Sequence, residues 1–162
     1  MIKEKDLSKI KMLVMDVDGT LTDGKIYVGD NGEVFKAFNV KDGYRLIAID
    51  KYNIVPVIIT GKISEILSKR AAELKIEEVY QGIEHKLEVL DEIIKKYQLT
   101  YENVAYIGDD VNDLDCMNVC YLKACPADAV GEVIEVADYV CKVNGGNGAV
   151  REFIDFIVRG LD

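Results

Sequence analysis

Three short apolar runs in this chain each end in a polar signature, and no other feature restricts its folding so tightly. KMLVMDV (11–17) carries Asp16-Val17-Asp18-Gly19-Thr20 at its end, IVPVIIT (54–60) leads into Thr60-Gly61-Lys62, and VAYIGDD (104–110) leads into Gly108-Asp109-Asp110-Val111-Asn112-Asp113. Short runs that are apolar at nearly every position suit strands buried on both faces, as in a parallel sheet. Segments of helical period lie between and after them, at 42–52, 63–74, 84–97, 111–118, 128–136 and 148–159. Further short strands are expected at 78–82, 120–124 and 139–143. Pro56 implies an early or poorly paired position in its strand. Strands alternating with helices give an α/β fold, a three-layer sandwich with a mainly parallel sheet.

One segment departs from that alternation. KIYV (25–28) and VFKAFNV (34–40) flank Gly29-Asp30-Asn31-Gly32, the signature of a β-hairpin over about 25–40. Two readings stand for its apolar residues Ile26, Val28, Val34 and Phe38. They pack on their own domain, or they form an exposed edge that favours association with another copy.

The 162 residues fit one domain, 1–162, with no linker or repeat. With 29 Asp+Glu against 20 Lys+Arg the net charge is −9, which argues against a nucleic-acid partner. No apolar stretch reaches the roughly 18–20 residues needed to span a bilayer. MIKEKDLSKIK is followed only by MLVMDV before more acids, too short for a secretory leader, so the expected address is cytoplasmic. Cys116, Cys120, Cys125 and Cys141 lack CxxC spacing, and His85 is the only histidine, so zinc and disulfide frameworks are poorly supported.

In a parallel sheet the three polar strand ends converge at one edge, where such folds bind ligands. Asp16, Asp18, Asp109 and Asp113 would then lie within a few ångströms of one another, a costly arrangement without a cation. Oxygen-only donors point to a hard ion such as Mg²⁺, and Lys86, opening a helix, is a candidate second compensating charge. Any one of these acids could instead cap a helix. Asp110 fits either a cap of helix 111–118 or a contact to substrate.

DVDGT (16–20), the strand-end Thr60, Lys86 and GDDVND (108–113), in this order, resemble the four motifs of the haloacid dehalogenase superfamily of phosphohydrolases. The resemblance runs from about residue 11 to the end. Within the superfamily, TLTDGKIYVGDNGEVFKAFNVKDGYRL, RAAELKI and NGGNGAVREF resemble the capless branch of 3-deoxy-D-manno-octulosonate (KDO) 8-phosphate phosphatases. ACPADAVG and the same tail are also similar to phosphatase-like modules of sialic acid cytidylyltransferases.

The resemblance implies a Rossmann-like sandwich without a cap domain and an Mg²⁺-dependent phosphatase acting through an aspartyl-phosphate. Asp16 would be the nucleophile and Asp18 the acid–base, placed on the same side by strand alternation. Asp16, the backbone carbonyl of Asp18, and Asp109 would hold the metal, with Asp113 in support. Thr60 and Lys86 would bind the transferring phosphoryl oxygens, with backbone N–H groups of Gly19 and Thr20.

Asn39, Val40, Lys41, Asp42 and Gly43 would form a sugar-contacting turn, and Lys62 and Arg70 would complete the substrate site. Lys62 stands where many relatives carry Arg, replacing a bidentate fork by a point charge. By the same resemblance the hairpin pairs between subunits of a homotetramer, and Gly145, Gly146, Gly148 and Arg151 belong to a tail reaching a neighbour's site. Those glycines could equally end a strand and cap the last helix.

The implied substrate is a small phosphorylated sugar acid, KDO 8-phosphate first, with a nine-carbon 9-phosphate (sialic acid or its deaminated analogue) as the alternative. Two other classes stay open: a receiver-like phosphoacceptor and an idle structural module.

Overall fold

The structure, a computed structural model, describes residues 5–161. Six strands form one parallel sheet: β1 (Met12–Met15), β4 (Val55–Ile59), β5 (Glu78–Tyr80), β6 (Val104–Ile107), β7 (Leu122–Cys125) and β8 (Tyr139–Val140). Their spatial order is β5-β4-β1-β6-β7-β8. β2 (Tyr27–Gly29) and β3 (Gly32–Phe35) form a separate antiparallel hairpin. The helices are α1 (Val40–Ala48), α2 (Glu65–Glu73), α3 (Lys86–Lys96), α4 (Leu114–Val119), α5 (Gly131–Val136) and α6 (Ala149–Arg159).

Strand alternation builds two cores. Leu13 and Met15 of β1, with Ala105 and Ile107 of β6, face Leu46 of α1, Leu67 of α2 and Phe153, Ile154 and Ile157 of α6. Met12 and Val14, with Val104 and Tyr106, face Leu90 and Ile93 of α3, Met117 of α4 and Val133 of α5. Burying each large side chain contributes on the order of 1.5–3 kcal/mol, so both faces of β1 are needed and neither tolerates charge.

The chain visits β4 and β5 on one side of β1 before crossing to β6, β7 and β8 on the other. That reversal leaves a crevice beyond the carboxyl ends of β1, β4 and β6, the usual ligand position in open α/β sheets. Pro56 is the second residue of β4, and the Val55 N–H bonds Lys11 on the β1 side. The Pro56 nitrogen therefore faces the β5 side, where pairing begins only at Val57.

Several boundaries differ from expectation. The second hairpin strand stops at Phe35, short of 40, and α1 begins at Val40 because the Asn39 side chain accepts the Lys41 N–H at 2.9 Å. Residues 111–113 form a 3₁₀ turn ahead of α4. The hairpin keeps Ile26, Val28, Val34 and Phe35 exposed, Val28 by 71%. Phe38, by contrast, packs against the core below α1.

Candidate active site

β1 ends at Met15, and the Asp16 N–H still bonds the Ile107 carbonyl of β6 at 3.1 Å. Beyond it the chain folds into a tight turn. The Val17 carbonyl accepts N–H groups from Thr20, Leu21 and Thr22 at 2.9–3.1 Å. Gly19 sits at φ +93°, and a Cβ there would lie 2.0 Å from Asp109 Oδ2. The glycine is thus required twice, by the backbone and by the approach of the neighbouring acid.

Asp16, Asp109 and Asp113 each offer a carboxylate oxygen, and these atoms lie within 4.8 Å of one another. Lys86, the first residue of α3, places its ammonium 2.9 Å from Asp16 Oδ1 and 2.8 Å from Asp113 Oδ1. Asp113 is fully buried and also accepts the Tyr106 hydroxyl at 2.6 Å and the Asp109 N–H at 3.0 Å. Asp109 accepts the Thr20 hydroxyl at 2.8 Å.

Three carboxylates facing one ammonium leave negative charge uncompensated. Burial and then the Asp113 charge push the Asp16 carboxyl above its ordinary range. Asp109 is raised by burial and by Asp16 and Asp113, against the Thr20 hydroxyl that lowers it. Burial works against the Lys86 ammonium, but Asp16 and Asp113 overcome it and raise its pKa. An all-oxygen donor set with excess negative charge fits a hard divalent cation.

The expected residues do not all meet. Asp18 is outside the triad: β1 has ended before it, so strand alternation does not fix its direction, and its carboxylate pairs with Lys36 at 2.7 Å. The N–H groups of Gly19 and Thr20 are spent inside the turn, on the Thr22 hydroxyl and the Val17 carbonyl, rather than offered to a ligand. Thr60 lies buried at the end of β4, and Lys62 beyond it is exposed. Among residues 39–43 only Val40 and Lys41 are exposed, while Asp42 and Gly43 are buried. Arg70 packs over Phe38 and pairs with Glu73 at 3.2 Å.

Arg151 lies on α6, its side chain bonded to Asp155 at 2.7 Å. Its N–H meets Asp42 Oδ1 at 2.8 Å, so Asp42 ties α1 to α6. The other oxygen, Oδ2, is buried with no partner among the described residues, and burial raises the Asp42 carboxyl to about 6 from 3.8. A raised acid binds protons in the native state that the unfolded chain has released. Stability attributable to Asp42 is therefore lost as pH climbs from about 4 through about 6. In urea unfolding, Asp42→Asn should gain about 2–3 kcal/mol on the wild type between pH 4 and pH 7.5. A gap equal at both pH values would remove the assignment.

The glycines before α6 pack on the chain's own acidic turn. A Cβ on Gly145 would lie 1.8 Å from the Gly19 carbonyl oxygen, and the Gly146 N–H bonds the Thr20 carbonyl at 3.2 Å. Lys36 and Tyr106, which touch Asp18 and Asp113, are not among the residues the sequence nominates. Tyr106 carried a signal, a phenol in an otherwise aliphatic buried strand, whose hydroxyl needs a partner.

A model of the haloacid dehalogenase-like hydrolases matches residues 59–154. The chain is 44% identical over 149 residues to the 3-deoxy-D-manno-octulosonate 8-phosphate phosphatase KdsC of Salmonella typhi, covering 92% of this chain and 79% of that protein. The crystal structure of the phosphatase of that name from Yersinia pestis matches with a TM-score of 0.93 at 41% identity, over 98% of this chain and 85% of that one. The Moraxella catarrhalis phosphatase in complex with magnesium ion, phosphate ion and KDO matches with a TM-score of 0.93 at 38% identity, over 98% and 91%. The triad of Asp16, Asp109 and Asp113 offers the oxygen donors that a divalent metal takes, and the Moraxella protein was solved in complex with magnesium. With its sheet order, its acidic turn and these similarities taken together, the chain belongs to the haloacid dehalogenase-like hydrolases.

Proposed function

We propose that this chain is a magnesium-dependent phosphomonoesterase that hydrolyses a 2-keto-3-deoxy sugar acid phosphate, KDO 8-phosphate, through an aspartyl-phosphate on Asp16. The observation that carries the reading is the carboxylate triad, two of its members paired with the buried Lys86, at the crevice where the sheet order reverses. The 44% identity to KdsC supports the substrate.

Asp16, Asp109 and the Asp18 carbonyl would hold the metal, with Asp113 acting through water. A bound dication supplies positive charge that lets a phosphate dianion approach a carboxylate. An Asp16 oxygen attacks phosphorus as the ester P–O bond breaks, and Asp18 delivers its proton to the departing sugar oxygen. Water then attacks phosphorus, Asp18 takes the proton, and the Asp16 carboxylate is released with inorganic phosphate. Thr60 and Lys86 bind the phosphoryl oxygens, where charge spreads during transfer.

Asn39, Val40, Lys41, Lys62 and Arg70 make up the sugar side of the site, with Asp42 and Gly43 buried behind it. The burial of Asp42 assigns it the support of α1. Arg151 serves a neighbour's site in a homotetramer of capless single domains, and the exposed apolar hairpin supports that assembly. Four buried free cysteines support a cytoplasmic setting, and among the described residues no helix is long and apolar enough to cross a membrane.

The test is phosphate release across a panel of sugar phosphates that includes eight- and nine-carbon ulosonate phosphates. KDO 8-phosphate should give the highest kcat/KM. EDTA should lower the rate by roughly 10³-fold or more, and added Mg²⁺ should restore it. Preference for a nine-carbon phosphate would move the substrate assignment, and EDTA-insensitive turnover would remove the metal from the reading.

A further inference from the structure

Lys36 lies just past β3, with its side chain only 7% exposed. Its ammonium sits 2.7 Å from Asp18 Oδ1 and 2.8 Å from Glu33 Oε1. The other Glu33 oxygen accepts the Ser64 hydroxyl. Ser64 caps α2, its Oγ accepting the Leu67 N–H at 3.2 Å, and its own N–H bonds Gln81 Oε1 at 2.7 Å. A continuous chain of polar contacts thus runs from Asp18 through Lys36, Glu33 and Ser64 into the frame of α2 and the segment after β5.

This is not an ordinary surface ion pair. Exposed lysines keep their long stems mobile, and such pairs contribute little. Here the stem is enclosed and the head is fixed between two carboxylates, one of them braced on a helix cap. Asp18 needs such a brace, because it stands beyond the end of β1 and outside the triad, with no strand to fix its rotamer.

We propose that Lys36 is a positioning residue for the acid–base Asp18. It holds Oδ1 so that Oδ2 can carry the proton exchanged with the ester oxygen and later with water. The proposal rests on the phosphatase reading above. In the first step the Asp16–phosphorus bond forms, the phosphorus–ester oxygen bond breaks, and the Asp18 proton moves to that oxygen. Lys36 stays an ammonium throughout. Misplacing a reacting group by about 1 Å costs on the order of 10²-fold.

The leaving group separates this role from a merely structural one. An alkoxide leaves poorly without a proton, whereas 4-nitrophenolate leaves as the anion and needs little acid assistance. The comparison uses kcat/KM, which reports events up to leaving-group departure, for KDO 8-phosphate and 4-nitrophenyl phosphate. Lys36→Met, which keeps most of the stem, should lose about 30–100-fold on the sugar phosphate and less than about threefold on the nitrophenyl ester. Lys36→Arg should recover most of the loss. Glu33→Gln, which loosens the brace without removing Lys36, should show a smaller loss with the same selectivity.

Equal losses on both substrates, or none on either, would overturn the positioning role while leaving the phosphatase reading in place. A wild-type protein that hydrolyses neither ester with Mg²⁺ would overturn the phosphatase reading itself, and this proposal with it.

Discussion

Asp16→Asn should cut phosphate release by roughly 10⁴-fold or more while the protein stays folded, because the amide cannot serve as the nucleophile. The stability half of this expectation comes from the crowding. Asp16 is one of three crowded carboxylates and shares a single buried ammonium with Asp113, and burial and the Asp113 charge already disfavour its ionised form. Lys86 keeps Asp113 at 2.8 Å when Asp16 loses its charge. Without metal, the variant should therefore melt at or above the wild-type temperature. Calorimetry in EDTA and phosphate-release assays in Mg²⁺ check the two halves. A folded Asp16→Asn protein with near-full activity would exclude Asp16 as the nucleophile.

The second large effect is expected at Gly145, which belongs to none of the four motifs. A Cβ added there would lie 1.8 Å from the Gly19 carbonyl oxygen, 2.6 Å from the Gly19 carbonyl carbon and 2.9 Å from the Thr22 carbonyl oxygen. All three are backbone atoms of the turn that follows Asp16, so no flexible side chain can yield. Either the segment before α6 lifts away, breaking the Gly146 N–H bond to Thr20, or the turn shifts and carries Gly19 off Asp109. Gly145→Ala should cost about 2–4 kcal/mol. For a chain of this length the melting temperature should fall by roughly 5–12 °C. kcat should fall about 100-fold, because the turn sets the place of the reacting groups. An unchanged melting temperature and an unchanged kcat would mean that the close approach is relieved at no cost.

The sheet was legible because its signal is local. Met12–Met15 and Val104–Ile107 are unbroken apolar runs, and their burial on both faces follows directly from that pattern. The triad was legible for the same reason, since strand ends in a parallel sheet converge and Asp16, Asp109 and Asp113 each follow one closely.

Asp18 was placed by continuing the strand alternation past its limit. β1 stops at Met15, because the Val17 carbonyl turns to collect three N–H groups and the period of two no longer applies. Lys36 gave no sign because its partner is 18 residues away and reached only through the path of the hairpin. The sequence leaves Gly145 between a tail reaching a neighbour's site and a strand end, and gives no sign of its contact with Gly19 far away in sequence. Asp42 looked like a helix-entry residue open to a ligand. The packing of α6 on α1 buries it and gives it the Arg151 N–H instead.

The central claim, a covalent phosphoryl-enzyme on Asp16, is tested most directly by the stereochemical course at phosphorus. A substrate carrying a phosphoryl group made chiral with three oxygen isotopes would be turned over with an acceptor alcohol in place of water, and the configuration of the phosphoryl group on that alcohol read out. Two in-line displacements, by Asp16 and then by the acceptor oxygen, give overall retention, which is the expected result. Inversion would mean a single direct attack on the ester and would contradict the claim.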